Sequence, residues 1–278
     1  MAAIRKPAVA GTWYPGDRAS LVSEVEGYLA DVVPVEVPGR LVALISPHAG
    51  LRYSGPVAAH AYARLRGRRD LTAVIVGPSH RMAFAGVSVY AHGAFGTPLG
   101  EIPIDEALAQ ALLAADDVML DEPSPHRDEH SLEMQLPFLQ HLVPGLRIVP
   151  LLMGSQDRAE VEALARALGR ALHERDALLV ASSDLSHYHP ATVANELDAK
   201  VVGDVARLDP EALMDRLESV HGHACGGGPM VAVLKAARAR GATVATILRY
   251  ADSGDAGDGD KRRVVGYLAA ALSAPVKA

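Results

Sequence analysis

An alternation of short apolar runs with longer amphipathic ones constrains this chain more than any single residue does. Runs rich in β-branched and aliphatic residues at Leu41–Ser46, Thr72–Val76, Gly86–Tyr90, Arg147–Met153, Ala177–Ala181, Thr243–Arg249 and Arg263–Ala269 read as strands. Between them, Ala19–Leu29, Gly55–Arg66, Asp105–Ala115, Glu129–His141, Arg158–His173, Ala191–Arg207, Pro210–Glu218 and Pro229–Arg240 carry helical spacing. The pattern predicts an α/β protein with a mostly parallel central sheet flanked by helices, in three layers. No repeat or long low-complexity linker interrupts the 278 residues, so a single domain over residues 1–278 is expected.

The first βαβ unit places chemistry at the sheet edge. Leu41–Ser46 leads to Ser54, a candidate N-cap, then Pro56 in a first turn, with Gly67 closing the helix before the next strand ends in Val76-Gly77-Pro78. His48 and His80 follow the two strands at equivalent places. The two strands read as neighbours, about 4.8 Å apart, so two imidazoles at their ends can reach one atom between them. Ligands of open α/β sheets bind at this carboxyl edge. Either histidine alone reads as a loop side chain bonded to backbone; the matched pair reads as metal ligation.

Further polar groups gather at other strand and helix ends. Ser182-Ser183-Asp184-Leu185-Ser186-His187-Tyr188 follows a buried run, which is costly unless those groups are hydrogen-bonded or functional. Asp184 is a candidate to orient a ligand imidazole or bind metal, and His187 to move protons. Equally, Asp184 and Ser186 could cap a following helix. Cys225, in His221-Gly222-His223-Ala224-Cys225-Gly226, precedes a predicted helix whose N-terminus would favour the thiolate. His126-Arg127-Asp128-Glu129-His130 matches the inverted zinc-peptidase pattern H-x-x-E-H, with Glu129 as its general base. A Ser183 or Ser186 triad with His187 and Asp184 lacks the G-x-S-x-G elbow and is set aside.

Composition narrows the partners. A net charge of -6 argues against a nucleic-acid module, and Arg64, Arg66, Arg68 and Arg69 read as a solvated helix end. Cys225 is the sole cysteine, so no intrachain disulfide forms and a reducing compartment fits. The first sixteen residues lack the apolar core of a signal peptide, and no run of about 18 apolar residues suits a membrane span. A cytoplasmic protein is expected.

With these motifs in hand, the chain resembles the MEMO family, called AmmeMemoRadiSam system protein B in prokaryotes. The resemblance runs through Ala8-Val9-Ala10-Gly11-Thr12-Trp13-Tyr14-Pro15, Pro47-His48-Ala49-Gly50, Gly77-Pro78-Ser79-His80 and Glu129-His130-Ser131-Leu132-Glu133. It continues through Ser182–Tyr188, Ala224-Cys225-Gly226, Ser253-Gly254-Asp255 and Val264-Val265-Gly266-Tyr267. It implies a fold similar to class III extradiol dioxygenases, with His48, His80 and Cys225 at the ligand positions and Asp184 and His187 beside them. Glu129 and His130 would line the same pocket, and His126 falls outside the pattern. A cysteine where those dioxygenases use a carboxylate departs from the two-His-one-carboxylate iron site. The resemblance also implies association with AMMECR1-type and radical-SAM proteins.

Three functions follow as expectations. The first is a metal-dependent oxidoreductase or redox protein using iron or copper, with zinc also compatible with the ligand types. The second is a non-enzymatic scaffold or metal-handling partner whose pocket holds a small molecule or peptide. The third is a zinc-dependent hydrolase built on the H-x-x-E-H segment.

Overall fold

The computed structural model describes residues 3–173, 175–219, 222–256 and 259–276; His221 lies outside these described residues. The strands in chain order are β1 (Ile4–Arg5), β2 (Arg40–Ser46), β3 (Thr72–Pro78), β4 (Val87–Val89), β5 (Ala94–Thr97) and β6 (Gly100–Pro103). They continue as β7 (Met119–Asp121), β8 (Arg147–Met153), β9 (Ala177–Ser182), β10 (Asp184–His189), β11 (Val244–Asp252) and β12 (Val264–Ala274). The helices are α1 (Arg18–Ala30), α2 (Leu51–Tyr62), α3 (Glu106–Leu113) and α4 (Leu136–Leu142), followed by α5 (Arg158–Ala171), α6 (Ala191–Ala206), α7 (Pro210–Ser219) and α8 (Gly227–Ala239).

The main sheet runs β10-β12-β2-β9-β3-β8-β4-β7, with β11 also paired to β12. Its centre, β2-β9-β3-β8, is parallel, and β3 and β9 have no exposed residue. Strands buried on both faces need helices on both. Helix α2 lies on β2, β11 and β12, while α8 lies on β2, β3 and β9 and packs on α5 and α7. Each fully buried aliphatic side chain here, such as Ile75 or Leu179, contributes about 1.5–3 kcal/mol.

The mostly parallel expectation holds for the centre and fails at the flanks. Strand β12 pairs antiparallel with β2, β10 and β11, and β4 with β8, so the sheet is mixed. A second correction bears directly on the site: β2 and β3 are not neighbours, because β9 runs between them and pairs with both. His48 and His80 therefore stand two strands apart.

Two helices differ from expectation. Helix α2 begins at Leu51 rather than Gly55; the Leu51 amide donates to Trp13 O at 2.9 Å, and Ser54 Oγ donates to Ala49 O at 2.7 Å instead of capping. The expected helix over Glu129–His141 is regular only from Leu136, with Pro137 in its opening turn. Upstream, the Arg5 guanidinium donates to the carbonyls of His126 and Glu129, and residues 129–132 form no regular helix. Arg5 lies on β1, part of a small β1-β5-β6 sheet that the sequence pattern did not suggest.

Candidate metal centre

Three strand ends converge on one cavity. His48 follows β2, His80 follows β3, and between them Asp184 follows β9 after a single residue. Asp184 Oδ1 accepts from the amides of His48 at 2.7 Å and Ala49 at 3.3 Å, fastening the loop after β2 to the end of β9. Neither Asp184 nor Ser186 caps a helix; both lie in β10, and α6 begins only at Ala191. The cavity, about 530 Å³, is lined by His48, His80, His130, Asp184, His187 and Cys225, among others.

The hydrogen-bond network fixes the state of His48. Ser182 Oγ has one proton and gives it to Ser131 O at 2.6 Å, while accepting from Gln135 Nε2 at 2.8 Å. Toward His48 Nδ1, 2.9 Å away, it can only accept, so Nδ1 carries the proton and Nε2 keeps its lone pair. That Nε2 lies 3.1 Å from Cys225 Sγ. Gln135 is itself held by Tyr62, whose hydroxyl donates to its Oε1 at 2.6 Å. This is the outer support that orients metal-binding imidazoles.

His80 has an equivalent support. Its Nδ1 donates to Glu129 Oε1 at 3.0 Å and its amide to Oε2 at 2.5 Å, leaving Nε2 as the lone-pair atom. Glu129 Oε1 also accepts from the amides of His130 and Ser131, each at 2.9 Å. Burial alone would raise the Glu129 pKa, but the hydrogen bonds from His80 and Ser131 hold it well below the usual range. Glu129 is thus a fixed anion under His80. Gly77 allows this approach, since a Cβ there would sit 2.9 Å from Ser131 Oγ.

His130 stacks on His80, at 4.6 Å between ring centroids, and meets the tilted Trp13 ring at 4.3 Å. Its Nδ1 is buried without a hydrogen-bond partner among the described residues; Glu129 Oε1 lies 3.3 Å away, off the line of a hydrogen bond. Burial lowers its pKa to about 4, and burial, then the neighbouring His80 and His130, holds that of His48 well below the usual imidazole range. Both imidazoles are neutral near pH 7, the form that binds metal.

The donor atoms form two overlapping groups that share His48. One is His48, His80 and His130; the other is His48, Asp184 and Cys225, and within each the ligand atoms lie within 4.8 Å of one another. An orphaned buried imidazole nitrogen and a soft nitrogen-sulfur-oxygen set fit a transition metal. His80 and Cys225, expected in one ligand set with His48, fall in different groups.

Cys225 precedes α8, as expected, but the helix end does not favour its thiolate. Burial, then the Asp184 carboxylate, pushes the thiol pKa far up. A bound cation would reverse that balance. The loop is pinned by Gly226 N donating to Ser183 Oγ at 2.9 Å and Gln156 Nε2 donating to Cys225 O at 2.8 Å. A Cβ at Gly226 would lie 2.3 Å from Ser182 O, so glycine is required beside Cys225. Asp184, raised to about 6 by burial against the pull of the His48 amide, completes this wall. His187 donates from Nδ1 to Leu185 O at 2.8 Å and offers Nε2.

His126 does not join the site. It is buried, with Nε2 3.2 Å from Ser88 O, and faces Tyr90 and Phe95. Of the H-x-x-E-H segment only His126 belongs to a 3₁₀ turn, Ser124–His126, and residues 127–130 are not helical, so the two histidines do not share a helix face as the hydrolase reading needs. His223 is buried beside Arg216 and outside the cavity lining. Ser182, Gln135 and Trp13 are supporting residues that motif reading did not assign; the polar run at 182–188 was the available signal for the first. In the arginine cluster, Arg64 donates to Val35 O and Arg66 to Leu29 O. Among the described residues no helix is long and apolar enough to cross a membrane.

Comparison with known proteins agrees with the motifs. A family profile described as Memo-like protein matches residues 5–271. A MEMO1 family protein of Methanothermobacter thermautotrophicus is 37% identical over 273 residues, covering 95% of this chain and 98% of that one. One of Methanocaldococcus jannaschii is 38% identical over 284 residues, with coverages of 96% and 98%. The crystal structure of an uncharacterized Escherichia coli K12 protein is similar in fold, with a TM-score of 0.54 at 17% identity over 82% of this chain and 99% of that one.

Proposed function

The chain belongs to the Memo family, and from that premise we propose that its strand-end pocket binds one redox-active metal ion and acts on a small molecule held beside it. The observation that carries this reading is His48: Nδ1 is tied down by Ser182, and Nε2 is presented to both donor groups. Imidazole with thiolate suits iron or copper, and zinc is the redox-silent alternative. Such a metal would supply electron transfer and activation of an oxidant in a dioxygenase-like pocket.

This chain's own residues do the rest. Ser182 and Glu129 orient His48 and His80, and Asp184 ties the loop after β2 while offering its second carboxylate oxygen. His187 Nε2 holds or moves a proton in the cavity wall. Trp13 against His130 excludes water from one side. Association with AMMECR1-type and radical-SAM proteins is part of the same proposal, since it would deliver metal or substrate to an intracellular site.

A second reading rests on the Cys225–His48 contact of 3.1 Å, which also satisfies a neutral thiol and imidazole without metal. On that reading the pocket is a binding scaffold without turnover. Anaerobic reconstitution with Fe(II), Cu(I) and Zn(II), followed by elemental analysis, separates the two. The expected result is one metal per chain, lost in His48→Ala; full binding by His48→Ala, His80→Ala and Cys225→Ala alike would overturn the metal reading. Oxygen uptake by the Fe(II) form with a panel of catechols tests turnover.

A further inference from the structure

Asp184 and His187 stand three residues apart on β10, so a regular strand would point them to opposite faces. Both nevertheless line the metal cavity. A register shift reconciles the two facts. Asp184 pairs with Tyr267 and His187 with Val265, which leaves Leu185 and Ser186 against the single residue Gly266. Such a bulge re-aims the side chains that follow it. Within the bulge the Ser186 amide donates to Asp198 Oδ1 at 2.9 Å.

Asp198 shares with Ala194, Val201 and Val205 the buried face of α6, a helix that packs on β10, β11 and β12. Full burial is an expensive place for a carboxylate unless its oxygens are bonded. Tyr250 of β11 donates to Oδ2 at 2.8 Å, and a Cβ at Gly266 would run into that same oxygen. Glycine opposite the bulge thus leaves the space that the carboxylate fills. The Ser186 amide and the Leu185 carbonyl are the two ends of one planar peptide unit. Asp198 holds the amide end, and the carbonyl end accepts from His187 Nδ1 at 2.8 Å. Carboxylate, peptide and imidazole form one continuous hydrogen-bond chain, in which each bond polarises the next. Fixing the peptide plane fixes the acceptor of Nδ1, and with it the tautomer that leaves Nε2 bare.

We infer that Asp198 is a positioning residue for His187, acting through the Leu185–Ser186 peptide at the bulge opposite Gly266. That the imidazole so held moves protons rests on the function proposed above; the coupling itself does not.

Nitrogen-15 NMR of the full chain, histidine-labelled and metal-free at about pH 9, where imidazole is neutral, reads the His187 tautomer. The wild-type ring is expected to carry its proton on Nδ1. Asp198→Ala should move most of it to Nε2, and Gly266→Ala, whose methyl displaces the carboxylate, should do the same. Unchanged His48 signals in those spectra show that the pocket stays folded. Asp198→Asn should restore the wild-type tautomer. Its carboxamide oxygen keeps the Ser186 amide, and its NH2 meets Tyr250, whose proton then passes to Asn195 Oδ1 at 2.8 Å. A wild-type proton on Nε2, or an unmoved tautomer in folded Asp198→Ala, would sink the coupling. Should both alanine variants fail to fold, the Ser186 amide proton decides: it is expected far downfield beside a carboxylate and further upfield in Asp198→Asn. The same shift in both proteins would end the proposal. Oxygen uptake by the Fe(II) form is read separately. A moved tautomer with unchanged uptake keeps the coupling and counts only against His187 as the proton mover; an unmoved tautomer removes the coupling whatever the uptake.

Discussion

His48 and Asp184 stand on the ends of paired strands, whereas Glu129 and His130 stand on a loop with no regular structure of its own. The first pair is placed by sheet register: Ser46 is opposite Ser182, and two further residues bring Asp184 under the His48 amide. The second pair is placed by a clamp. Glu133, fully buried, accepts from Arg5, from the amides of Ala8 and Val9 at 2.7 and 3.0 Å, and from the Tyr14 hydroxyl at 2.7 Å. Arg5 then grips the carbonyls of His126 and Glu129. Register positions a side chain through many shared bonds, while the clamp concentrates the task in one buried ion pair.

The largest expected effect comes from breaking the clamp. Glu133→Ala leaves Arg5 buried without its counter-ion and should cost about 3–5 kcal/mol in urea unfolding. The same variant should loosen His80 and His130, seen as altered imidazole NMR signals, while the His48–Asp184 amide stays protected from exchange. Equal loss of protection on both sides would erase the distinction between the two halves.

Next in size is His48→Ala, which removes the residue common to both donor groups. Metal affinity should fall by more than the roughly 10–100-fold that loss of an outer partner causes, and Glu129→Gln should fall within that range. Competition with a chelator measures both. If Glu129→Gln were as severe as His48→Ala, the carboxylate would be a ligand rather than a support.

A smaller effect tells which group holds the metal. The Cys225 thiol is held protonated near neutral pH by burial and by Asp184, so binding through sulfur must release a proton. Affinity should then rise about tenfold per pH unit from 6.5 to 8, and Cys225→Ser should flatten the slope. His48 and His130 have lowered pKa values and are already neutral over that window, so neither of them adds to the slope. The smallest effect belongs to the surface: Arg68→Ala, whose partner Asp176 is 3.9 Å away and exposed, should shift stability by less than about 0.5 kcal/mol.

The sheet-borne half of the pocket was legible in the sequence because strands announce themselves locally. Arg147–Met153 matches β8 residue for residue, and the polar run at 182–188 advertised its own importance. The order of strands was not legible: nothing in residues 41–80 reports that residues 177–182 will lie between their two strands. The clamp was hidden for a related reason. Leu132, Leu136 and Leu139 keep helical spacing, so the segment reads as helix, whereas a guanidinium from more than a hundred positions upstream bonds its carbonyls. Strand β1, two residues long, gives no periodicity to detect. Resemblance to the MEMO family supplied Glu129 and His130 as pocket residues, and the side-chain network then separated their roles.

The late-coming central strand has a consequence for how the protein is made. The His48 amide meets a carboxylate 136 positions further along the chain, and its ring meets a thiol 177 positions further along. At about 5–20 residues per second, a ribosome takes roughly ten to thirty-five seconds to travel from His48 to Cys225. Until residue 182 has been made the edges of β2 and β3 that receive β9 lack their partner, and His48 waits for its thiol neighbour until Cys225. The nascent protein is therefore left with two apolar strand edges to be shielded until its centre arrives.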